Sequence, residues 1–210
     1  MTNLKSRGVI CILSSPSGAG KTTIAKAIVN DHEIMSELSI SYTTRRIRPG
    51  EKEGSDYYFI TQNQFLDMID KDQFLEHTQI YDNFYGTLKS DIIDKINNGT
   101  NIIFDIDWHG ARSISKNFPE DVVKIFVMPP SMQILKDRLK KRSNGDQSHV
   151  AERIKYAVEE IKNYEEYDFI VVNDDLENTI SKVKTIISSE KLRRNRLKDI
   201  DRFINSMILE

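Results

Sequence analysis

The sequence predicts an α/β fold of three layers, in which a parallel core sheet lies between two layers of helices. Short runs of apolar and β-branched residues alternate along the chain with segments of helical periodicity, which is typical of buried parallel strands joined by helices. A glycine-rich loop separates the first such run from the first helical segment. No stretch approaches the roughly 18 apolar residues of a membrane span.

The elements of the core follow from these patterns. Apolar or β-branched runs predict strands over residues 9–13, 38–42, 101–106, 122–127 and 169–172. Helical spacing of apolar residues predicts helices over residues 23–29, 89–98, 131–141, 149–166 and from 176 onward. Because ligands of parallel sheets bind beyond the carboxyl ends of the strands, we expect the functional residues at that edge.

Two regions interrupt the alternation. Residues 43–87 contain arginines, aromatic residues and turn residues, with a helical pattern over 63–71, and predict a small α+β lobe. Residues 136–155 are rich in lysine and arginine and contain a turn-like break at 143–146. A basic flap of this kind could close over a bound anion and exclude water.

The charge balance and the cysteine content limit the classes of function. The 210 residues include 30 lysines and arginines against 32 aspartates and glutamates, a net charge of −2, so we expect neither nucleic-acid nor membrane binding. The single cysteine, Cys11, lies in the first apolar run and predicts a core thiol in a reducing compartment, the cytoplasm. Residues 1–8 are polar and predict no secretory signal. Composition leaves a monomer and a homodimer open.

The glycine-rich loop has the sequence Ser-Pro-Ser-Gly-Ala-Gly-Lys-Thr over residues 15–22. Its position between a strand and a helix is the context of a phosphate-binding P-loop, in which backbone N–H groups and the helix N-terminus bind phosphate oxygens. Lys21 would reach the outer phosphates and the Thr22 hydroxyl would face Mg²⁺. Ser15 stands where the full pattern has glycine, which an ordinary backbone angle would tolerate. The alternative is a glycine-rich turn with a chance lysine.

A magnesium site needs a carboxylate near the loop. Asp105 follows a buried strand pattern, which is where P-loop proteins place a metal-directed aspartate. Mg²⁺ keeps several waters and takes few protein ligands, so Thr22 and Asp105 would suffice. The alternative for Asp105 is a helix N-cap or a surface residue.

The segment over residues 41–51 suits a second phosphate. Arg45 and Arg48 lie in a non-helical stretch, and guanidinium groups bind phosphate bidentately. Tyr57 and Tyr85 could add phenol donors to the same group. The alternative is a solvated loop with surface arginines.

A nucleobase must also be recognised. Guanine presents N1–H and an amine, both donors to a carboxylate, whereas N1 of adenine is an acceptor. Glu76 and Asp107 are the candidate acceptors, and the hydroxyls of Ser41 and Thr87 could bind the remaining polar atoms of the base. Taken alone, Glu76 is more often an ordinary surface glutamate.

The basic flap supplies further cations. Arg138 and Arg142 are four residues apart and share a helix face, where like charges repel unless an anion lies between them. With Arg153 they could surround the oxygens of a phosphoryl group in transfer. The alternative is a solvated, charged helix.

Several segments together resemble the guanylate kinases. They are residues 14–22, 43–51, 74–77, 85–87, 105–110 and 171–175, and the resemblance covers about residues 7–190. It implies a P-loop nucleoside-monophosphate kinase fold and the Mg²⁺-dependent transfer of the γ-phosphate of ATP to GMP. The implied regions are a core (7–40, 88–130 and 165–190), a GMP-binding lobe (41–87), a helical lid (131–164) and a C-terminal helical tail (191–210).

The resemblance also implies roles for matching residues. Catalytic roles fall on Lys21, Arg45, Arg138, Arg142 and Arg153. ATP contacts fall on Ser15, Pro16, Ser17, Gly18, Ala19, Gly20, Lys21, Thr22, Thr23 and, near the adenine, Asn173. GMP contacts fall on Ser41, Arg45, Arg48, Glu51, Tyr57, Glu76, Tyr85, Thr87 and Asp107.

Three other functions are weighed against this interpretation. Guanylate-kinase-like domains of scaffold proteins bind peptides, but they usually lose loop or lid residues that this chain retains. A kinase for AMP or UMP does not account for Glu76 and Asp107. A GTPase would carry an Asn-Lys-x-Asp motif, and residues 172–175 read Val-Asn-Asp-Asp instead.

Overall fold

A five-stranded parallel sheet forms the centre of the molecule. The computed structural model describes residues 4–80, 82–142 and 147–209. Along the sheet, the strands follow the order β2 (Ser36–Leu38), β7 (Asn101–Asp105), β1 (Ile10–Ser14), β8 (Val122–Met128) and β9 (Phe169–Val172). The helices around it are α1 (Lys21–Val29), α3 (Lys89–Asn97), α4 (Trp108–Asn117) and α7 (Leu176–Glu190).

The central strand β1 is buried on both faces. Cys11 and Leu13 pack with Ile24 of α1 and Val183 of α7 on one face of the sheet. Ile10 and Ile12, which alternate with them, pack on the other face against α3 and α4. The continuous apolar run of β1 therefore reflects burial on two sides, which confirms the predicted three-layer α/β fold.

A second sheet of four strands forms a smaller unit beside the core. It contains β3 (Tyr42–Thr43), β4 (Tyr58–Phe59), β5 (Phe74–Ile80) and β6 (Asn83–Leu88), in the order β4-β3-β6-β5. Helix α2 (Gln62–Asp70) begins at a capping box between Thr61 and Gln64 and packs Phe65 against Phe74 and Phe84. Stacked aromatic rings thus form the small core of this unit.

Two helices lie over the phosphate loop. Helix α5 (Met132–Arg142) and helix α6 (Gln147–Lys162) pack through Leu135, Leu139 and Ala157, which are fully buried. The break predicted at residues 143–146 and the side chain of Arg142 lie outside the described part of the chain.

The C-terminal segment is tied to the core by a buried arginine. Arg196 is 2% exposed and donates to the Asp121 carbonyl at 2.9 Å and to the Glu190 carboxylate at 3.3 Å. Burial lowers the pKa of Arg196, and the charge of Glu190 opposes that shift. Helix α8 (Ile200–Ile208) follows, with Met207 and Ile208 exposed.

The prediction of one strand over residues 38–42 was wrong. Strand β2 ends at Leu38, and Tyr42 begins β3 in the other sheet. The Ser39 N–H still bonds to Ile103, whereas Tyr42 pairs with Gly86 and Tyr58. The alternating residues therefore belong to two half-strands that pair with different partners. Helix α4 was not predicted from the sequence.

None of the helices in the described ranges combines the length and the apolar character that crossing a bilayer requires.

Candidate active site

The loop over residues 15–20 joins the core strand β1 to helix α1. Gly18 and Gly20 have φ angles of 95° and 102°, and a Cβ on Gly20 would lie 2.5 Å from the Asn173 amide nitrogen. Both positions therefore require glycine. Ser15 does not have a positive φ angle, so serine is tolerated where the full motif has glycine. The loop leads directly into the N-terminus of α1, where anions bind favourably.

Asn173 supports the loop from the core. Its amide donates to the Ala19 carbonyl at 2.6 Å, and its side chain is buried just after β9. The Ala19 N–H in turn bonds to the Pro16 carbonyl at 3.0 Å. Asn173 also lines the cavity above the loop, and its contact with adenine stays a prediction.

Lys21 is held at the carboxyl edge of the sheet by two acceptors. Its ammonium donates to the Ile106 carbonyl at 2.9 Å and lies 3.1 Å from the Asp105 carboxylate. The two side chains are 16% and 21% exposed, so their interaction is screened less than that of a surface pair. The helix cap considered for Asp105 is made by Asp107, which accepts from the Gly110 N–H at 3.0 Å.

Thr22 and Asp105 together line a separate cavity of about 570 Å³ beside the start of α1, and their oxygen atoms are of the kind that binds a magnesium ion. Hydroxyl and carboxylate oxygens are the ligands that Mg²⁺ prefers, and the ion retains several waters. No group of three or more His, Cys, Asp or Glu side chains placed to hold a metal occurs in the described residues. A cation here would therefore take its remaining ligands from phosphate and water.

The first cavity, which we call the loop cavity, lies between the phosphate loop and helices α5 and α6, which we call the lid helices. Its volume is about 700 Å³, and Arg138 and Glu160 line it from the lid. The predicted ATP-binding residues that line it are Ser15, Ser17, Gly18, Gly20, Lys21, Thr22, Thr23 and Asn173. Pro16 and Ala19 contribute backbone bonds within the loop.

The lid helices contact the loop through two charged side chains. Arg138 of α5 donates to the Gly18 and Ala19 carbonyls at 3.4 Å. Glu160 of α6 accepts from the Ser17 N–H at 3.2 Å. Arg153 lies exposed on α6. Of the two predicted lid arginines whose side chains are described, Arg138 is therefore the one that contacts the loop.

The second cavity, which we call the lobe cavity, lies between the core and the four-stranded sheet. Its volume is about 570 Å³, and it is lined by Lys21, Ser41, Tyr57, Glu76, Tyr85, Asp105 and Asp107, among others. Lys21 therefore lines both the loop cavity and the lobe cavity. Five of the predicted GMP-binding residues share the lobe cavity although they come from five separate segments of the chain.

A chain of polar side chains holds Glu76. The Thr87 hydroxyl donates to the Glu76 carboxylate at 2.9 Å and lies 3.4 Å from the Ser41 hydroxyl. Thr87 is itself buried on β6. Burial raises the pKa of Glu76 above its ordinary value and Asp107 raises it further, whereas the bond from Thr87 lowers it. Glu76 is thus a partly buried acceptor and not an ordinary surface glutamate.

Arg45 is fixed beside Tyr57, which lines the lobe cavity. Its guanidinium binds the Glu51 carboxylate bidentately at 3.0 and 2.7 Å and stands 5.3 Å from the centre of the Tyr57 ring. The hydrogen bond from Arg45 lowers the pKa of Glu51. Glu51 also accepts from the backbone N–H of Arg48 at 2.8 Å, while the Arg48 side chain is exposed.

Two features of the site were missed from the sequence. Glu160 lies in a charged helical pattern that gives no sign of its contact with the loop. The Ile106 carbonyl accepts from both Lys21 and the Ser14 hydroxyl, and a backbone acceptor leaves no trace in residue type. His109, to which no role was assigned, also lines the lobe cavity, and its ring nitrogen lies 3.5 Å from Asp107.

Comparison with known proteins agrees with this geometry. A family model described as guanylate kinase matches residues 7–190. A guanylate kinase from Rickettsia bellii is 46% identical over 192 residues, covering 91% of this chain and 99% of the relative. One from Maricaulis maris is 39% identical over 202 residues, covering 96% of this chain and 92% of the relative.

The same family is found among solved structures. The crystal structure of guanylate kinase from Anaplasma phagocytophilum matches with a TM-score of 0.79 at 36% identity, covering 97% of both chains. This match extends over both sheets and the lid helices that form the two cavities. The chain therefore belongs to the guanylate kinase family.

Proposed function

We propose that the protein transfers the γ-phosphate of ATP to GMP, giving ADP and GDP, with Mg²⁺. The observation that supports this most directly is the position of Lys21, which lines both the loop cavity and the lobe cavity. One ammonium group can therefore reach the last phosphate of a donor and the phosphate of an acceptor. In-line transfer requires the donor and acceptor phosphates to be adjacent, and a cation shared by both sites offsets their mutual repulsion.

On the donor side, the loop binds the ATP phosphates through its backbone N–H groups and Lys21. Lys21 leaves Asp105 for the phosphates, because a phosphoryl group in transfer carries more charge than one carboxylate. Thr22 and Asp105 would hold the Mg²⁺, which would neutralise phosphate charge when bound. Thr23 and Asn173 contribute to the nucleotide site from the start of α1 and the end of β9.

On the acceptor side, Glu76 and Asp107 accept from the N1–H and amine of guanine, and Ser41 and Thr87 bind its remaining polar atoms. Arg45 and Arg48 bind the phosphate of GMP, assisted by the phenols of Tyr57 and Tyr85. Glu51 keeps the Arg45 guanidinium in place. The proposal is supported by the bidentate pair between Arg45 and Glu51 and by the burial of Glu76.

The lid supplies cations and excludes water. Arg138 approaches the loop from α5, and we propose that Arg142 and Arg153 join it when the lid closes over both nucleotides. Two phosphate groups repel each other, so cations on three segments offset their repulsion as the reacting atoms are brought together. We place the protein in the cytoplasm, which the fully buried single thiol of Cys11 supports.

A coupled assay of ADP release tests the proposal. ATP and Mg²⁺ are held constant, and GMP, AMP, UMP and CMP are offered in turn. We expect rapid ADP release with GMP, with GDP as the second product, and release from the other nucleotides reduced by at least about 100-fold. A folded protein that releases no more ADP with GMP than without an acceptor would contradict the proposal.

A further inference from the structure

A carboxylate from the lid lies against the phosphate loop. Glu160 accepts a hydrogen bond of 3.2 Å from the Ser17 N–H and lines the loop cavity together with Lys21. The backbone N–H groups of such a loop are the donors that bind phosphate oxygens. A side chain of the protein therefore uses a donor that an anionic ligand of this cavity would also use.

The charged form of Glu160 is favoured by some of its neighbours and disfavoured by others. Burial raises the pKa of Glu160 and so does the charge of Asp107, whereas Lys21 and the Ser17 N–H lower it. The positive charge of Lys21 thus attracts the carboxylate into a half-buried position. A triphosphate in the loop cavity would compete for the same cation and the same N–H group, and its negative charges would repel the carboxylate.

We propose that Glu160 is a positioning residue that holds the phosphate loop through Ser17 as an internal anion and competes there with the triphosphate of ATP. This inference rests on the proposed function, because it takes the loop cavity as the ATP site. Glu160 and Arg138 lie on the two packed helices of the lid. Displacement of Glu160 by phosphate would therefore free the Ser17 N–H for ATP and break this contact between α6 and the loop.

The substitution Glu160→Gln tests the competition, because it removes the charge and keeps the shape and one acceptor oxygen. Dissociation constants are measured by calorimetry without GMP and with metal chelated, for ATP, inorganic tripolyphosphate and adenosine. We expect ATP and tripolyphosphate to bind about threefold to tenfold more tightly than to the unmodified protein. Adenosine binding should be unchanged, since it carries no phosphate.

Steady-state kinetics provide a second readout. The KM for ATP should fall in Glu160→Gln, while the KM for GMP stays within about twofold, because the competing carboxylate acts on the donor cavity. If Glu160 contributed only to packing, its replacement would not lower the KM for ATP while leaving the KM for GMP unchanged.

The neighbouring Glu159 offers a matched control. It lies on the same helix, and its side chain is 60% exposed and pairs with Lys162 at 2.8 Å. Glu159→Gln removes the same charge away from the loop, so its dissociation constants should equal those of the unmodified protein. Glu160→Ala removes both the charge and the acceptor, and it should also tighten ATP binding, as Glu160→Gln does. It also keeps the test decisive if Glu160→Gln does not fold.

The outcomes separate this inference from the function on which it rests. Unchanged or weaker ATP binding in a folded Glu160 variant overturns the inference and leaves the kinase function standing if GMP is still phosphorylated. Equal tightening of adenosine also overturns it, because competition for charge requires phosphate. An unmodified protein that binds neither ATP nor tripolyphosphate overturns the proposed function and this inference together.

Discussion

The two cavities that meet at Lys21 are built in different ways. The loop cavity owes its shape to backbone geometry, with two left-handed glycines in the loop and the Asn173 amide bound to the Ala19 carbonyl. The lobe cavity is lined mainly by side chains, and pairs of side chains fix groups in or near it: Thr87 holds Glu76, which lines it, and Glu51 holds Arg45, which stands beside Tyr57. The loop is encoded by consecutive residues, whereas the lobe depends on strands that pair across the second sheet.

This difference separates the expected effects of substitutions. In the proposed reaction, groups on the loop interact with the phosphate in transfer, so their loss should lower turnover. Groups in the lobe cavity would position and select the acceptor, so their loss should appear mainly in the use of GMP.

Replacing the lysine shared by the two cavities should have the largest effect. We expect Lys21→Ala to reduce kcat at least about 100-fold, which is comparable with the loss of one strong transition-state donor. The measurement is steady-state ADP release at saturating ATP and GMP. Lys182→Ala, which removes an exposed cation from α7, is the control and should leave kcat unchanged. A Lys21→Ala variant of near-normal turnover would remove Lys21 from the mechanism.

Replacing Glu76, the partly buried carboxylate of the lobe cavity, should impair the use of GMP and spare the binding of ATP. We expect Glu76→Gln to reduce kcat/KM for GMP by about 10- to 100-fold, because an amide cannot accept from two donors of guanine as a carboxylate does. The dissociation constant for ATP should change by less than about twofold. If a folded Glu76→Gln variant lost as much affinity for ATP as it lost in kcat/KM for GMP, Glu76 would not be recognising the base.

Removing the partner of Arg45 should have a smaller effect. In Glu51→Ala the guanidinium loses its bidentate acceptor and must be ordered by the phosphate itself, so we expect the KM for GMP to rise about fivefold to tenfold. The KM for ATP should stay constant. A KM for ATP that rises by the same factor would show that the two cavities are not independent.

The smallest expected effect is a dependence of stability on pH. Burial raises the pKa of Glu76 in the folded protein, so the folded state holds a proton that the unfolded chain releases. The unmodified protein therefore loses stability relative to Glu76→Gln as the pH rises from about 4.3, the unfolded value, through the raised folded value.

Thermal unfolding at about pH 4 and about pH 7.5 measures this effect. The difference in Tm between Glu76→Gln and the unmodified protein should be small at the lower pH and should grow in favour of the variant at the higher pH. A difference that is the same at both values would mean that the carboxyl titrates alike in the folded and unfolded states.

The sequence was sufficient for the parts of the molecule that local patterns encode. The strand, glycine-rich loop and helix over residues 9–29 are recognisable because each needs particular residue types at fixed spacing. Strand β9 over Phe169–Val172 was predicted with its observed bounds, since it is a short run of aromatic and β-branched residues.

Most of the features that the sequence did not predict depend on contacts between distant parts of the chain. Residues 38–42 divide between two sheets because Tyr42 pairs with Gly86 and Tyr58, which no local pattern reveals. Helix α4 was missed because its first turn contains Gly110, although Asp107 is a good N-cap. Asp105 and Lys21 are 84 positions apart, and their ion pair forms because β1 and β7 are adjacent and parallel.

In the proposed reaction the loop cavity and the lobe cavity hold two nucleotides end to end, with Lys21 lining both. One molecule that joins adenosine to guanosine through five phosphates should occupy both cavities, because five phosphates span the four of ATP and GMP and the gap between the reacting atoms. We expect this molecule to bind at least about 100-fold more tightly than ATP and to compete with both ATP and GMP. Competition with only one of them, or affinity no better than that of ATP, would show that the two cavities do not hold the nucleotides end to end.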